Sequence, residues 1–445
     1  MKLFGTSREA KFVSGRDGGQ KQKKTKQERQ KKPLKTLAVW LTVLLALEGL
    51  YFFCVYTQNA FVKKWRNIYI NTAMDTMTHQ WLATAFLPKD VIDQVRYEYG
   101  LAKSATIGQN STWGKEEEPD EPSTEEPQTP DENIKNVETE VLPEEDKQKK
   151  AEEAFYELFY ELDRDSMQAW LDANPSALDD GWDHIYVNQA GFEEEGTEIY
   201  TTLGEQVLAL DAKNGVLVLR VQGSGYRGAL GIAKDPSRLS IEMSATLGVA
   251  GEVCGTIAEA HGGVLAMNAS GFLDPNGGGN GGQLAGYCMS NGTAHGSHFT
   301  AYAYKRIELH EDNLMYIKDV FDPVSEDCTD ATEFQPAMIV DGKKLIDYEW
   351  TGEQPRACIG QNDKYEILML VIEGRQPLRG ILGTNVNTCS DILLSHGCQQ
   401  AMNVDGGSSA MLWFDGKYVI SSSSAPLRGS GGRPLPNAWV YKAAE

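Results

Sequence analysis

Residues 36–57, Thr36 to Thr57, are an almost wholly apolar run preceded by a cluster of lysines. No other feature constrains the chain as strongly, because a segment that crosses a bilayer puts its two flanks on opposite sides of a membrane. A helix rises 1.5 Å per residue, so about 20 residues cross the hydrocarbon core. Trp40 lies near one end, with Tyr51 and Tyr56 near the other, where interfacial aromatics belong. Glu48 is the discordant residue, tolerable near the outer face or beside a partner helix. The run exceeds the apolar core of about 7–15 residues found in a secretory signal, and no small-x-small cleavage site comes after it. Lysines on the N-terminal side place that side in the cytoplasm. The expectation is an uncleaved, single-pass plasma-membrane anchor with everything after residue 57 extracellular.

Charge divides the rest. Residues 1–35 hold twelve Lys/Arg against three acids and read as a basic cytoplasmic tail. Residues 58–108 carry Ile68, Met74, Met77, Trp81, Leu82 and Phe86 at roughly helical intervals. Pro88-Lys89-Asp90 then marks a helix start, which makes this a membrane-proximal helical segment. Residues 109–150 combine five prolines with a dense run of acids and predict a disordered, self-repelling linker. The net charge of −21 makes a phosphate backbone a poor partner, so no nucleic acid is expected. Seven scattered cysteines are not a dense disulfide framework. Cys389 and Cys398 are close enough for a local bridge.

Residues 151–445 change character. A helix is expected from about Ala151, with an Asp165-Ser166 cap signal before Met167, Trp170 and Leu171. Short strands come next at Gly215–Gln222, Val264–Met267, Pro336–Val340, Tyr365–Ile372 and Met411–Phe414. Helical stretches are expected at Gly251–His261 and Asp391–His396. The pattern is α+β, with a mixed, largely antiparallel sheet and a few packed helices.

Within that domain, Asn403-Val404-Asp405-Gly406-Gly407-Ser408-Ser409 sets a polar, Gly-rich kernel between apolar residues. Glycines permit positive φ and close backbone approach. On an extended segment the side chains of Asn403 and Asp405 leave one face, aiming an amide and a carboxylate together. Asp-Gly is equally a turn dipeptide, both here and at Asp341-Gly342, where a hairpin is the expectation. Gly271 to Gly292 contains eight glycines without phosphate-loop spacing, and a mobile lid or flexible loop is the reading. His295-Gly-Ser-His298 lacks further ligands and reads as substrate-contacting or surface histidines rather than a metal site. Ser408 does not sit in Gly-x-Ser-x-Gly, because Ala410 replaces the final glycine.

Several ordered pieces of this stretch carry a resemblance. They are Tyr226-Arg227-Gly228, Lys234-Asp235-Pro236-Ser237-Arg238, Ala266-Met267-Asn268-Ala269-Ser270-Gly271-Phe272, Val340-Asp341-Gly342-Lys343, Pro355-Arg356-Ala357-Cys358-Ile359-Gly360, Glu373-Gly374-Arg375, the run from Gly397-Cys398 to Ser409, and Arg433-Pro434-Leu435-Pro436-Asn437-Ala438. From roughly 226 to 442 the chain resembles the phosphodiester glycosidase family, in a bacterial, membrane-anchored form. The family's Arg-Thr-Ala-Ile-Gly stands here as Arg-Ala-Cys-Ile-Gly, which keeps the arginine.

The resemblance implies hydrolysis of a glycosyl-1-phosphodiester in cell-envelope glycopolymers, with a carbohydrate phosphodiester as substrate. A phosphate monoester leaves as a stable anion, so the chemistry needs mainly a carboxylate and a cation for the phosphate. Asp405 is the expected carboxylate, Glu373 the second, and Asn268 and Asn403 orient water or sugar hydroxyls. Arg356 is the expected phosphate clamp, seconded by Arg375, with Gly406, Gly407, Ser408 and His298 lining the substrate. No particular cofactor is implied, and a divalent cation held by Asp274 together with Asp405 stays open. The rival reading is a membrane-anchored polysaccharide-binding or exopolysaccharide assembly factor that keeps the cleft without turnover. Asp405, Asn268 and Arg356 are expected to converge.

Overall fold

The computed structural model describes residues 26–76, 79–104, 106–113, 144–191, 196–301, 303–346, 352–424 and 432–445. The basic tail before residue 26 and the linker between 114 and 143 lie outside these. Two compact units result, 1–63 and 64–445. In the first, Lys26–Tyr56 is one helix, and its stretch Lys35–Tyr56 is long and apolar enough to cross a membrane.

In the second unit, long apolar runs form strands that are buried on both faces. On Ile367–Glu373, Ile367, Met369 and Val371 enter one core while Leu368, Leu370 and Ile372 enter another. This is the period-2 alternation of a strand. That strand is central in a nine-stranded sheet, all of whose pairs are antiparallel. Its order is Tyr186–Asn188, Val207–Asp211, Val216–Gly223, Tyr226–Ala233, Ile367–Glu373, Arg356–Asn362, Cys398–Asn403, Ala337–Val340 and Lys343–Lys344. Helices Glu144–Leu158, Arg164–Ala173 and Val386–Ser395 cover one face through Phe155, Phe159, Met167, Leu171 and Leu393.

The other face packs on two five-stranded antiparallel sheets. One runs Lys417–Ile420, Leu412–Phe414, Gly263–Asn268, Asn437–Lys442, Leu239–Met243. The second runs Thr293–Gly296, Tyr287–Ser290, Cys328–Phe334, Lys305–His310, Met315–Asp319. The fold is α+β, as the sequence implies.

Several local expectations change. The cap of Arg164–Ala173 is Asp163, whose side chain accepts from Ser166 N, not the Asp165-Ser166 pair itself. The helix expected at Ala151 starts at Glu144, inside the stretch read as linker. The other end of that stretch is also fixed. Thr112 donates through N and Oγ1 to Asp341 Oδ2 at 2.8 and 2.7 Å, and Ser111 Oγ donates to Gln400 Oε1 at 2.7 Å. Asp341 and Gly342 have φ of 48° and 71° and make the expected hairpin turn. Cys389 and Cys398 are separate buried thiols.

The segment expected to be membrane-proximal and helical, 58–108, joins the second unit from Lys64 onward. Helices Ala60–Met74 and Lys89–Ser104 are tied by Arg96 to Asp75 at 2.7 Å and by Tyr99 OH to Asp75 Oδ2 at 2.9 Å. Thr72 Oγ1 accepts from Glu353 N at 3.1 Å, and a Cβ at Gly352 would lie 2.7 Å from Thr72. Buried Ile68, Ile70, Ile92 and Val95 explain the packing.

Candidate active site

The strand Cys398–Asn403 ends where its neighbour Arg356–Asn362 begins, and the kernel turns out of the sheet there. Val404 N donates to Ala357 O and Gly407 N to Pro355 O, both at 2.9 Å. Gly406 lies so close to Pro355 O that a Cβ would sit 2.8 Å away, and Gly407 adopts φ of 61°. Those two positions need glycine. Asn268, at the end of Gly263–Asn268 and fully buried, fastens the loop at both ends. Its Nδ2 donates to Asp405 O at 2.5 Å, and its Oδ1 accepts from Met411 N at 3.1 Å. Asn268 therefore meets the kernel as expected, but its amide is spent on backbone and it acts as a positioning residue.

The Asp405 carboxyl is half-buried on this loop. Burial pushes its pKa up to about 6. The Asp274 carboxylate adds to that, while a Ser409 hydrogen bond, Arg433 and Arg375 pull the other way. Arg433 is buried and ion-paired with Asp274. It also donates to Ser408 Oγ at 2.9 Å and stands 4.5 Å over the Phe272 ring. Asp274 Oδ1 further accepts from Gly279 N at 2.7 Å, which holds the glycine-rich loop. Arg375 is exposed, at a left-handed φ of 62°, and its Nη2 would lie 2.8 Å from a Cβ on Gly407. Among the described residues its guanidinium makes no hydrogen bond or ion pair, although Asp405 attracts it. Tyr304, stacked on Phe299 at 3.8 Å, also feels the Asp405 charge: burial raises its phenol pKa, a Gln335 hydrogen bond lowers it, and Asp405 adds to the rise.

Other expected members take different places. Arg356 is buried, and its Nε and Nη2 donate to Thr384 O at 3.2 Å and Gly352 O at 2.9 Å. It supports the loop from behind instead of presenting a phosphate clamp. Glu373 pairs with Arg227 across the strands and accepts from Gln376 Nε2 at 3.0 Å, so Asp274 is the second carboxylate facing Asp405. His298 binds Glu333 at 2.6 Å and stacks on Tyr287 at 4.3 Å, on the five-stranded sheet that begins with Thr293–Gly296. Asn403 Nδ2 donates to Gln335 O at 2.7 Å. Its Oδ1 is buried without a hydrogen-bond partner among the described residues. Ser408 receives Arg433 through Oγ and Ser422 through its carbonyl.

As for a metal, Asp274 turns its charge to Arg433, and no group of three or more His, Cys, Asp or Glu among the described residues is arranged to hold an ion. The sequence reading missed Arg433, Ser409 and Tyr304. Arg433 opens the run Arg433-Pro434-Leu435-Pro436-Asn437-Ala438, but only the fold places it beside Asp274.

Comparison with known proteins adds a family. Residues 261–442 match the family described as phosphodiester glycosidase. No curated protein matches the chain. Among solved structures, the zebrafish N-acetylglucosamine-1-phosphodiester alpha-N-acetylglucosaminidase catalytic domain, auto-inhibited by its pro-peptide, aligns at 14% identity and TM-score 0.42. The alignment covers 52% of this chain and 82% of that one. A hypothetical protein from Synechocystis aligns at 14% identity and TM-score 0.34, over 51% of this chain and 61% of its own. A putative exported protein from Burkholderia pseudomallei aligns at 12% identity and TM-score 0.32, over 49% and 74%.

Proposed function

We propose, for a chain that carries a phosphodiester glycosidase domain over residues 261–442, that it hydrolyses glycosyl-1-phosphodiester linkages in cell-surface glycopolymers. The segment 36–57 anchors it in the plasma membrane with the domain outside. The observation that carries the reading is the pairing of a carboxyl of raised pKa, Asp405, with a neighbouring exposed guanidinium, Arg375, that Asp405 attracts and that makes no hydrogen bond or ion pair among the described residues. Above pH 6 Asp405 is the carboxylate that activates water or attacks the anomeric carbon. Arg375 holds the phosphate, which departs as a stable monoester anion without a strong acid. Arg433 holds Asp274 and Ser408 in place and limits repulsion between the two carboxylates. Asn403 Oδ1 accepts from a sugar hydroxyl.

The test is sugar release from UDP-GlcNAc and a GlcNAc-1-phosphodiester by the full chain, with and without EDTA and added divalent ions. Release should rise with pH through about 6, because the ionised form is the active one. Absence of release across a broad panel, with glycan binding retained, would replace this reading with that of a binding or assembly factor.

A further inference from the structure

The helical segment that opens the second unit exposes large aromatics. Trp65 and Tyr69 are 54% and 43% exposed on Ala60–Met74, and Trp81 and Phe86 are 55% and 59% exposed around the short helix Trp81–Thr84. They belong to one patch. Trp65 and Tyr69 are one helical turn apart, Tyr69 OH donates to Leu82 O at 2.5 Å, and the Trp81 and Phe86 rings lie 6.5 Å apart. Beneath it the segment is well packed, through Ile68, Ile70 and the Arg96–Asp75–Tyr99 network. The patch is therefore a built surface and not a frayed end.

We propose that this patch lies in the interfacial layer of the bilayer that the 36–57 segment crosses, and so fixes the domain on the membrane surface. Three observations select a bilayer as the occupant. First, the patch is dominated by Trp and Tyr, whose amphipathic rings settle at headgroup level. Second, Lys63, Lys64 and Arg66 accompany it, as suits an anionic headgroup layer. Third, Trp65 comes only nine residues after the apolar stretch ending at Tyr56, too short a chain to carry the patch far from a membrane.

The same segment reaches the candidate site. Thr72 holds Glu353 and abuts Gly352, Gly352 O accepts from Arg356, and Pro355 O accepts from Gly407 N. Seating the patch thus orients the Asp405 loop, which suits a substrate whose sugar phosphodiester is presented at the membrane. The inference rests on the membrane span but not on the hydrolytic reading.

The experiment uses the full chain, one copy per nanodisc, with lipids brominated near the headgroup to quench tryptophan. Trp40 lies in the span, so Trp40→Phe is the background. In it, lipid quenching is expected to persist, and it should be lost when Trp65→Phe and Trp81→Phe are added. Unchanged melting of the conservative triple variant separates this from misfolding. Failure of the chain to enter nanodiscs would overturn the span itself. Entry with no lipid quenching from Trp65 and Trp81, but quenching by aqueous iodide, would overturn only the patch. Dimerisation in detergent that depends on both tryptophans, with that same iodide accessibility, would assign the surface to a second copy instead.

Discussion

At the residue scale, Asp405 carries the most chemistry. Its pKa of about 6 in the fold stands above the unfolded value near 3.9. The folded state therefore binds the extra proton between these values. Asp405's contribution to stability is present below about pH 3.9 and is lost as pH rises through about 6. Asp405→Asn, a neutral isostere, should lower sugar release by about 10²–10⁴-fold. In calorimetry its melting temperature should gain on the parent's at pH 8 relative to pH 4. Arg375→Ala removes a charge-assisted contact of about 1.5–3 kcal/mol, and should raise KM by roughly ten-fold or more while the fold persists. Asn268→Ala strands Asp405 O and Met411 N, and should cost about 2–5 kcal/mol in urea unfolding. Asp405 and Asn268 were legible because each stands in a short polar interruption of an apolar strand. Arg356 was legible as important but not in its role, because a sequence does not say which carbonyls surround a guanidinium. Asp274 and Arg433 lie far apart in the chain, and only strand order brings them together.

At the scale of elements, the helices and the nine-stranded sheet meet through a buried ion cluster as well as apolar contact. Lys234, on the turn after Tyr226–Ala233, binds Glu161 at 2.6 Å and Glu366 at 2.7 Å, with all three side chains buried. The Tyr160 hydroxyl donates to Glu366 at 2.7 Å. Removing the cation leaves two buried carboxylates uncompensated, so Lys234→Ala should destabilise by about 3–5 kcal/mol, read by urea unfolding. The helix-to-sheet seam was only half legible. The apolar residues Met167, Trp170 and Leu171 announced themselves by spacing, but Lys234 stands in a piece noted only for its family resemblance, and no spacing in the chain reveals Glu161 and Glu366 as its partners. The helix start at Glu144 was hidden by its own charge, since an acidic, lysine-rich stretch has the composition of a linker until it is joined to Phe155 and Phe159.

At the scale of the molecule, the compact unit begins at Lys64, although composition had suggested a domain starting at 151. Composition marks 109–150 as acidic and rich in proline. It says nothing of Thr72, Ser111 and Thr112, which reach Glu353, Gln400 and Asp341 from well outside that domain. A chain starting at Ala151 should therefore melt at a lower temperature than one starting at Lys64, by differential scanning fluorimetry.

The strand Asn437–Lys442 carries a consequence for how the protein is made. It is the latest strand in sequence, yet it sits between Gly263–Asn268 and Leu239–Met243 in its sheet. In this sheet those two are joined only through it, so the sheet stays split until that strand has paired. Completion of this sheet thereby waits for residues 437–442, and a chain shortened before Asn437 should lose it while the nine-stranded sheet keeps all its strands.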